Sequence, residues 1–162
     1  MISEKMTKAI NEQINKEIYS AYLYVGMAAH AASAGLNGIG GWFQVQAKEE
    51  LGHAAKFMHY LAEQGSPLVL KAIAAPDQKF NSIASLFVKT LEHEKAVTAS
   101  IHALVALAKK EMDYATEIFL QWFVTEQVEE ESSVADILQK LEIGGKAGNS
   151  ILMLDKALAL RK

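Results

Sequence analysis

The sequence predicts an all-α fold: a four-helix bundle with a long crossover between its second and third helices and a short fifth helix at its C-terminal end. Three observations carry that prediction. Apolar residues recur at three- and four-residue spacing over four long stretches, with no strand-like alternation. The two prolines, Pro67 and Pro76, both fall in one connection and leave the rest of the chain uninterrupted. The four stretches have matched lengths, roughly 26 to 30 residues or about 40 to 45 Å at helical rise. Two short turns and one long link between them give the connectivity of a bundle.

The first helix is expected from about Glu4 to Ser33, with Ser3 as its N-cap. Its stripe reads Met6, Ile10, Ile14, Ile18, Ala21 and Val25. Gly35-Leu-Asn-Gly38 ends it. The second is expected from about Ile39 to Gln64, with Trp42, Phe43, Phe57 and Leu61 on its buried face and Gly65 as its stop. The next stretch, SPLVLKAIAAPDQKFN, has neither helical nor strand period and suits a crossover running the length of the bundle. Ser82 caps a third helix reaching about Lys110, with a stripe of Leu86, Phe87, Leu91, Val97, Ile101, Leu104 and Val105. A turn at Glu111 to Asp113 leads to a fourth helix ending near Leu141, with Phe119, Phe123, Val134, Ile137 and Leu141 on its stripe. Gly144, Gly145 and Gly148 then precede a short fifth helix, Ser150 to Leu160, unusually apolar for a terminal segment.

At 162 residues the chain is expected to be one domain over 1–162, with the bundle over about 4–142 and the fifth helix over about 150–160. A net charge of -3 without a basic block argues against nucleic acid or an anionic membrane as partner. The chain has no cysteine, which excludes disulfides, zinc fingers and cysteine-ligated clusters. Ile18 to Ala47 carries no charged residue, but glycines interrupt it, and it reads as a helix buried in protein rather than a membrane span. The first residues lack an apolar signal core, so a cytoplasmic location is expected.

Each predicted helix carries polar residues in the middle of its apolar stripe. Glu17 follows Ile14 by three residues and Ile10 by seven, with Tyr24 two turns further along that face. Glu50 and His53 stand at i, i+3, and Glu49 and His53 at i, i+4, on the face of Trp42 and Phe57. Glu94 lies three residues from both Leu91 and Val97. Glu126 and Glu130 sit at i, i+4 between Phe123 and Val134, with Gln127 and Glu129 beside them. Taken singly, each glutamate is an ordinary solvated residue and the histidine a satisfied core group. Together they lie near the midpoints of four packed helices. Carboxylates gathered there repel one another unless protonated or bound to cations. Histidine with carboxylates suits iron or manganese, with zinc as competitor, and an inward Glu/His pair at i, i+3 is the arrangement of dinuclear carboxylate bundles.

The segments NEQINKEIYSAYLY, QAKEELGHAAKF, LEHE and FLQWFVTEQVEEE resemble those of bacterial and archaeal non-haem ferritins, and the resemblance covers essentially the whole chain. It implies a ferritin-like bundle with a di-iron ferroxidase centre at Glu17, Glu50, His53, Glu94 and Glu130, with Gln127 beside it. Glu50 would bridge two irons, Glu17 and His53 completing one, Glu94 and Glu130 the other. Glu49, Glu126, Glu129 and Glu130 match the family's third iron site, which leads towards the mineral cavity. Tyr24 matches a tyrosine that orients a ligand or supplies an electron. Trp122 reads first as a core aromatic, with electron transfer the lesser alternative. His30, His59, His93 and His102 are expected at the surface or in packing.

The implied chemistry is oxidation of Fe(II) to Fe(III) by dioxygen or peroxide, with storage as hydrated ferric oxide in a hollow twenty-four-subunit shell. A bacterioferritin-like chain would carry a second Glu-x-x-His on the fourth helix, where this one reads Gln127-Val-Glu-Glu130, and a haem-ligating methionine where Gly52 stands, so no haem is expected. Rubrerythrin-like proteins need cysteine pairs. DNA-protecting mini-ferritins build their site between subunits and lack the fifth helix. The rival of another class is a non-catalytic bundle that buffers divalent metal or serves as a scaffold.

Overall fold

The computed structural model describes residues 1–77, 79–145 and 148–161. Five helices follow in order: α1 Glu4–Ser33, α2 Asn37–Glu63, α3 Ile83–Glu111, α4 Tyr114–Gly144 and α5 Gly148–Leu158. The all-α four-helix bundle with crossover and short fifth helix is the observed architecture. α1 packs chiefly on α2 and α3 on α4, each pair joined by a short turn, while α1 also meets α3, and α5 lies against α2 and α4. Among the described residues no helix is long and apolar enough to cross a membrane.

The caps are those the local chemistry calls for. Ser3 accepts from the amide of Met6, and Ser82 and Ser85 form a reciprocal capping box on α3. Asp113 accepts from the amide of Thr116 at 3.1 Å and starts α4. Met112, between α3 and α4, takes the left-handed conformation, φ 54°, in which helices usually place glycine. The sequence-based boundaries shift slightly. α2 begins at Asn37, so Asn37 and Gly38 belong to the helix rather than to the break before it. Glu111 is still helical, α4 runs on to Gly144, and α5 starts at Gly148 and ends at Leu158.

The crossover has neither helix nor strand over its described residues. Three side chains spaced one turn apart along α1 tie it down. Thr7 shares a hydrogen bond with Ser66 at 3.0 Å. Asn11 donates to the Pro67 carbonyl at 3.0 Å and accepts from the Val69 amide at 2.6 Å. Asn15 accepts from the Lys71 amide at 3.2 Å. A segment without helix or strand thus has part of its backbone satisfied by one face of a helix.

The apolar core is in two parts. One holds Tyr24, Met27, Trp42, Phe43, Phe87 and Val134, and Leu154 of α5 joins it. The other holds Met6, Ile10, Phe57, Leu61, Ile101 and Phe123. Val25, placed on the buried stripe of α1 by its spacing, is 53% exposed. It stands one residue, or 100° of helix, beyond the fully buried Tyr24, past the edge of the buried arc. Ile18, Leu91, Val105, Phe119 and Leu141 are only half-buried, at the edges of their stripes.

Candidate metal centre

Between the two apolar halves lies a buried polar layer. Glu17, Glu50, His53, Glu94, Gln127 and Glu130 are each at most 5% exposed. Every helix of the bundle contributes: α1 one residue, α2 two, α3 one and α4 two. Burying four carboxylates in one layer is costly unless protons or cations compensate them.

The geometry falls into two adjoining groups. Glu17, Glu50 and His53 each bring one ligand atom to within 4.8 Å of the others, and so do His53, Glu126 and Glu130. His53 sits between them, its Nδ1 3.5 Å from Glu50 Oε2 and its Nε2 3.9 Å from Glu126 Oε1. Glu94 stands back from both groups. Tyr24 donates its hydroxyl proton to one Glu94 oxygen, and Gln127 donates to the other at 3.2 Å. Glu17 receives the amide of Gln13 at 2.8 Å, and Glu130 that of Gln46 at 2.7 Å.

Two buried side-chain oxygens have no hydrogen-bond partner among the described residues, and both lie in this layer: Glu17 Oε2 and Glu50 Oε2. Native interiors pair nearly all buried polar atoms, so an unpaired pair of carboxylate oxygens beside a histidine has the form of a ligand set.

The electrostatics agree. Burial first, and then the charge of Glu50, hold the Glu17 carboxyl well above the usual carboxylate range. Burial and the charge of Glu94 raise Glu50 in the same way. Burial raises Glu94 too, against the lowering effect of its bonds from Tyr24 and Gln127. Glu130 is pushed up to about 7, by burial and then by Glu94. Metal-free, the layer is relieved by protons; a multivalent cation would replace them.

The family model for the ferritin-like domain matches residues 7–143. The chain belongs to the ferritin family. A bacterial non-heme ferritin of Campylobacter jejuni is 40% identical over 156 residues, 96% of this chain and 93% of that protein. One of Staphylococcus epidermidis is 37% identical over 161 residues, 99% of this chain and 97% of its own. A solved open-pore ferritin of the hyperthermophilic archaeon Archaeoglobus fulgidus is 48% identical, superposes with a TM-score of 0.99, and matches over 100% of both chains.

Within this ferritin chain the remaining expected site residues are placed as follows. Glu126 is half-buried and joins the outer group with Glu130. Glu49 lies outside both groups, half-exposed and bound to Arg161, and Glu129 is exposed. The expectation that Glu49 shares the buried face of Glu50 is therefore corrected: one residue is 100° of helix, which carries Glu49 to the rim. The core reading of Trp122 is corrected as well. The indole is 40% exposed, the Lys56 ammonium lies 3.4 Å from its ring centre, and the ring meets His53 edge-on at 5.5 Å. Of the unassigned histidines, His93 is packed against Tyr19 and Tyr24 and bonded to Ser20, His30 packs on Phe80, and His59 and His102 are exposed.

Sequence reasoning passed over Gln13, Gln46 and Arg161. Gln13 precedes Glu17, which it bonds, by one helical turn, a signal that spacing could have shown; Gln46 bonds Glu130 across the bundle, 84 residues away, which spacing does not reveal. Arg161, 112 residues from Glu49, left none.

Proposed function

We propose that the chain is an iron-storage protein with ferroxidase activity. The observation that carries this reading is the pair of buried, unpartnered oxygens of Glu17 and Glu50 beside His53. Iron is the substrate. Glu50, grouped with Glu17 and His53, would bridge two ions. Glu17 and His53 hold the first, and Glu130 and Glu94 the second. Glu94 reaches a metal by giving up its 3.2 Å bond from Gln127, while Tyr24 keeps the other oxygen oriented. The hard carboxylate set favours Fe(III) over Fe(II) and so assists the oxidation.

The electrons balance for a pair of ions. Two Fe(II) give up one electron each, and dioxygen takes both with two protons and leaves as hydrogen peroxide. With peroxide as oxidant the same two electrons yield two waters. Glu126, Glu49 and Glu129 with Glu130 form the outer, third site, through which Fe(III) passes to storage as hydrated ferric oxide. Storage implies a hollow shell of copies of the chain, for which we propose twenty-four subunits in the cytoplasm.

Fe(II) added in air to metal-free protein tests the reading, with ferric absorbance followed in time. Acceleration over buffer is expected, with a loss of at least about tenfold in Glu50→Ala and His53→Ala. Unaccelerated oxidation, or variants as fast as the parent, would leave the non-catalytic metal buffer as the better account. Hundreds of irons retained per assembly would exclude that buffer.

A further inference from the structure

The position of Arg161 is fixed by α5. Asp155 accepts from the Ile39 amide at 2.8 Å and so binds α5 to the first turn of α2. The approach is close enough that a Cβ on Gly38 would stand 1.8 Å from the Asp155 carbonyl oxygen. Leu154 is buried at the same contact. Beyond α5 the chain carries Arg161 onto the face of α2, where three groups hold its guanidinium. One nitrogen donates to Gln46 Oε1, another lies 2.5 Å from Glu49 Oε2, and the guanidinium carbon is 4.9 Å from the Trp42 ring centre.

These contacts continue into the metal centre. With its oxygen held by Arg161, Gln46 presents its amide nitrogen to Glu130 Oε2 at 2.7 Å. A matching relay serves the opposite side. Lys16 donates to Ser100 at 2.6 Å, Ser100 to the oxygen of Gln13 at 2.5 Å, and Gln13 donates to Glu17. In each relay a cation fixes the orientation of a glutamine amide, and the glutamine fixes a carboxylate. Only the Arg161 relay also has its cation seated on a carboxylate proposed as a ligand, Glu49.

Resting on the ferroxidase reading above, we propose that Arg161 is a resident cation at the outer end of the centre, which an arriving iron must displace from Glu49. Its charge keeps the outer site weak, so that ions pass through it rather than stay. The forked guanidinium serves Gln46 and Glu49 at once. Arg161 is a positioning residue and touches no reacting atom.

Anaerobic calorimetry of Fe(II) binding to the metal-free full chain tests this, in Arg161→Gln, Arg161→Lys, Glu49→Gln and the Arg161→Gln/Glu49→Gln double variant. The weakest class of Fe(II) sites is expected to tighten by about three- to fivefold in Arg161→Gln, the size of a half-exposed ion pair. The class held by Glu17, Glu50 and His53, which the Arg161 relay does not reach, should stay as it is. Arg161→Lys, which keeps the charge but loses the fork, should lie between Arg161→Gln and the parent. On the Glu49→Gln background the Arg161→Gln change should have no further effect. An unchanged weakest class in Arg161→Gln, or Arg161→Lys behaving as Arg161→Gln does, overturns the proposal while leaving oxidation by the parent intact. A parent chain that neither binds nor oxidises Fe(II) defeats the ferroxidase reading, and this inference with it.

Discussion

Glu130 keeps its proton up to a pH of about 7 because its carboxyl is buried and faces Glu94. An unfolded glutamate titrates near 4.5, so the folded, metal-free state binds the extra proton between the two values. The contribution to stability is complete below about 4.5 and is lost as pH rises through about 7. For Glu130 alone the loss is roughly 3 kcal/mol. Glu17, Glu50 and Glu94 are shifted in the same direction. The metal-free protein is therefore expected to melt at lower temperature at pH 8 than at pH 5. Glu130→Gln, which mimics the protonated form, should flatten that slope. Calorimetric scans across this range check it, and a pH-independent parent melting temperature would contradict it.

Two contacts between elements are sharp enough to test. At Gly38 the helices α2 and α5 touch so closely that no side chain fits. Gly38→Ala is expected to push α5 off α2, at a cost of about 1 to 3 kcal/mol. Hydrogen exchange should show it as faster exchange confined to α5 and the first turn of α2; uniform exchange rates would show that α5 docks by other means. At the α3–α4 turn Met112 is 73% exposed and holds a backbone conformation that favours glycine. Met112→Gly removes the strain and should stabilise the protein by roughly 1 kcal/mol, less what the more flexible unfolded chain returns. A lower melting temperature in that variant would mean that its side chain packs against a neighbouring subunit.

The molecule as a whole leaves apolar surface uncovered. Leu68, Val69 and Leu70 of the crossover are exposed, as are Tyr22 and Val25 of α1 and Leu152 and Met153 of α5. Groups of this kind on several faces favour closed assembly over a lone chain. Native mass measurement should give a species many times the 17.7 kDa of one chain. A monomer at micromolar concentration would remove the storage cavity and with it the storage part of the proposal.

The helices and the polar layer were legible in the sequence because both are periodic. Burial of Met6, Ile10 and Ile14 repeats with the turn of the helix, and Glu17, Glu50, Glu94 and Glu130 interrupt that repeat where solvent cannot reach them. Glu49 was misplaced because neighbouring positions on a helix differ by 100°, which spacing resolves poorly at the edge of a stripe. Trp122 was misread for the same reason. An indole at the rim is covered by a lysine from another helix, a partner that pattern does not reveal.

By itself, then, the sequence determined the five helices, their order, and the set of carboxylates and histidine that face inward. Those follow from local periodicity and from the expense of burying charge. The tertiary structure alone decided how the set divides. It joins Glu17 to Glu50 and His53, leaves two of their oxygens without partners, withdraws Glu94 onto Tyr24 and Gln127, and gives Glu49 to Arg161. Those pairings join residues 33 to 112 positions apart. They depend on how helix faces meet across the core, and a one-dimensional period carries no information about distances across it.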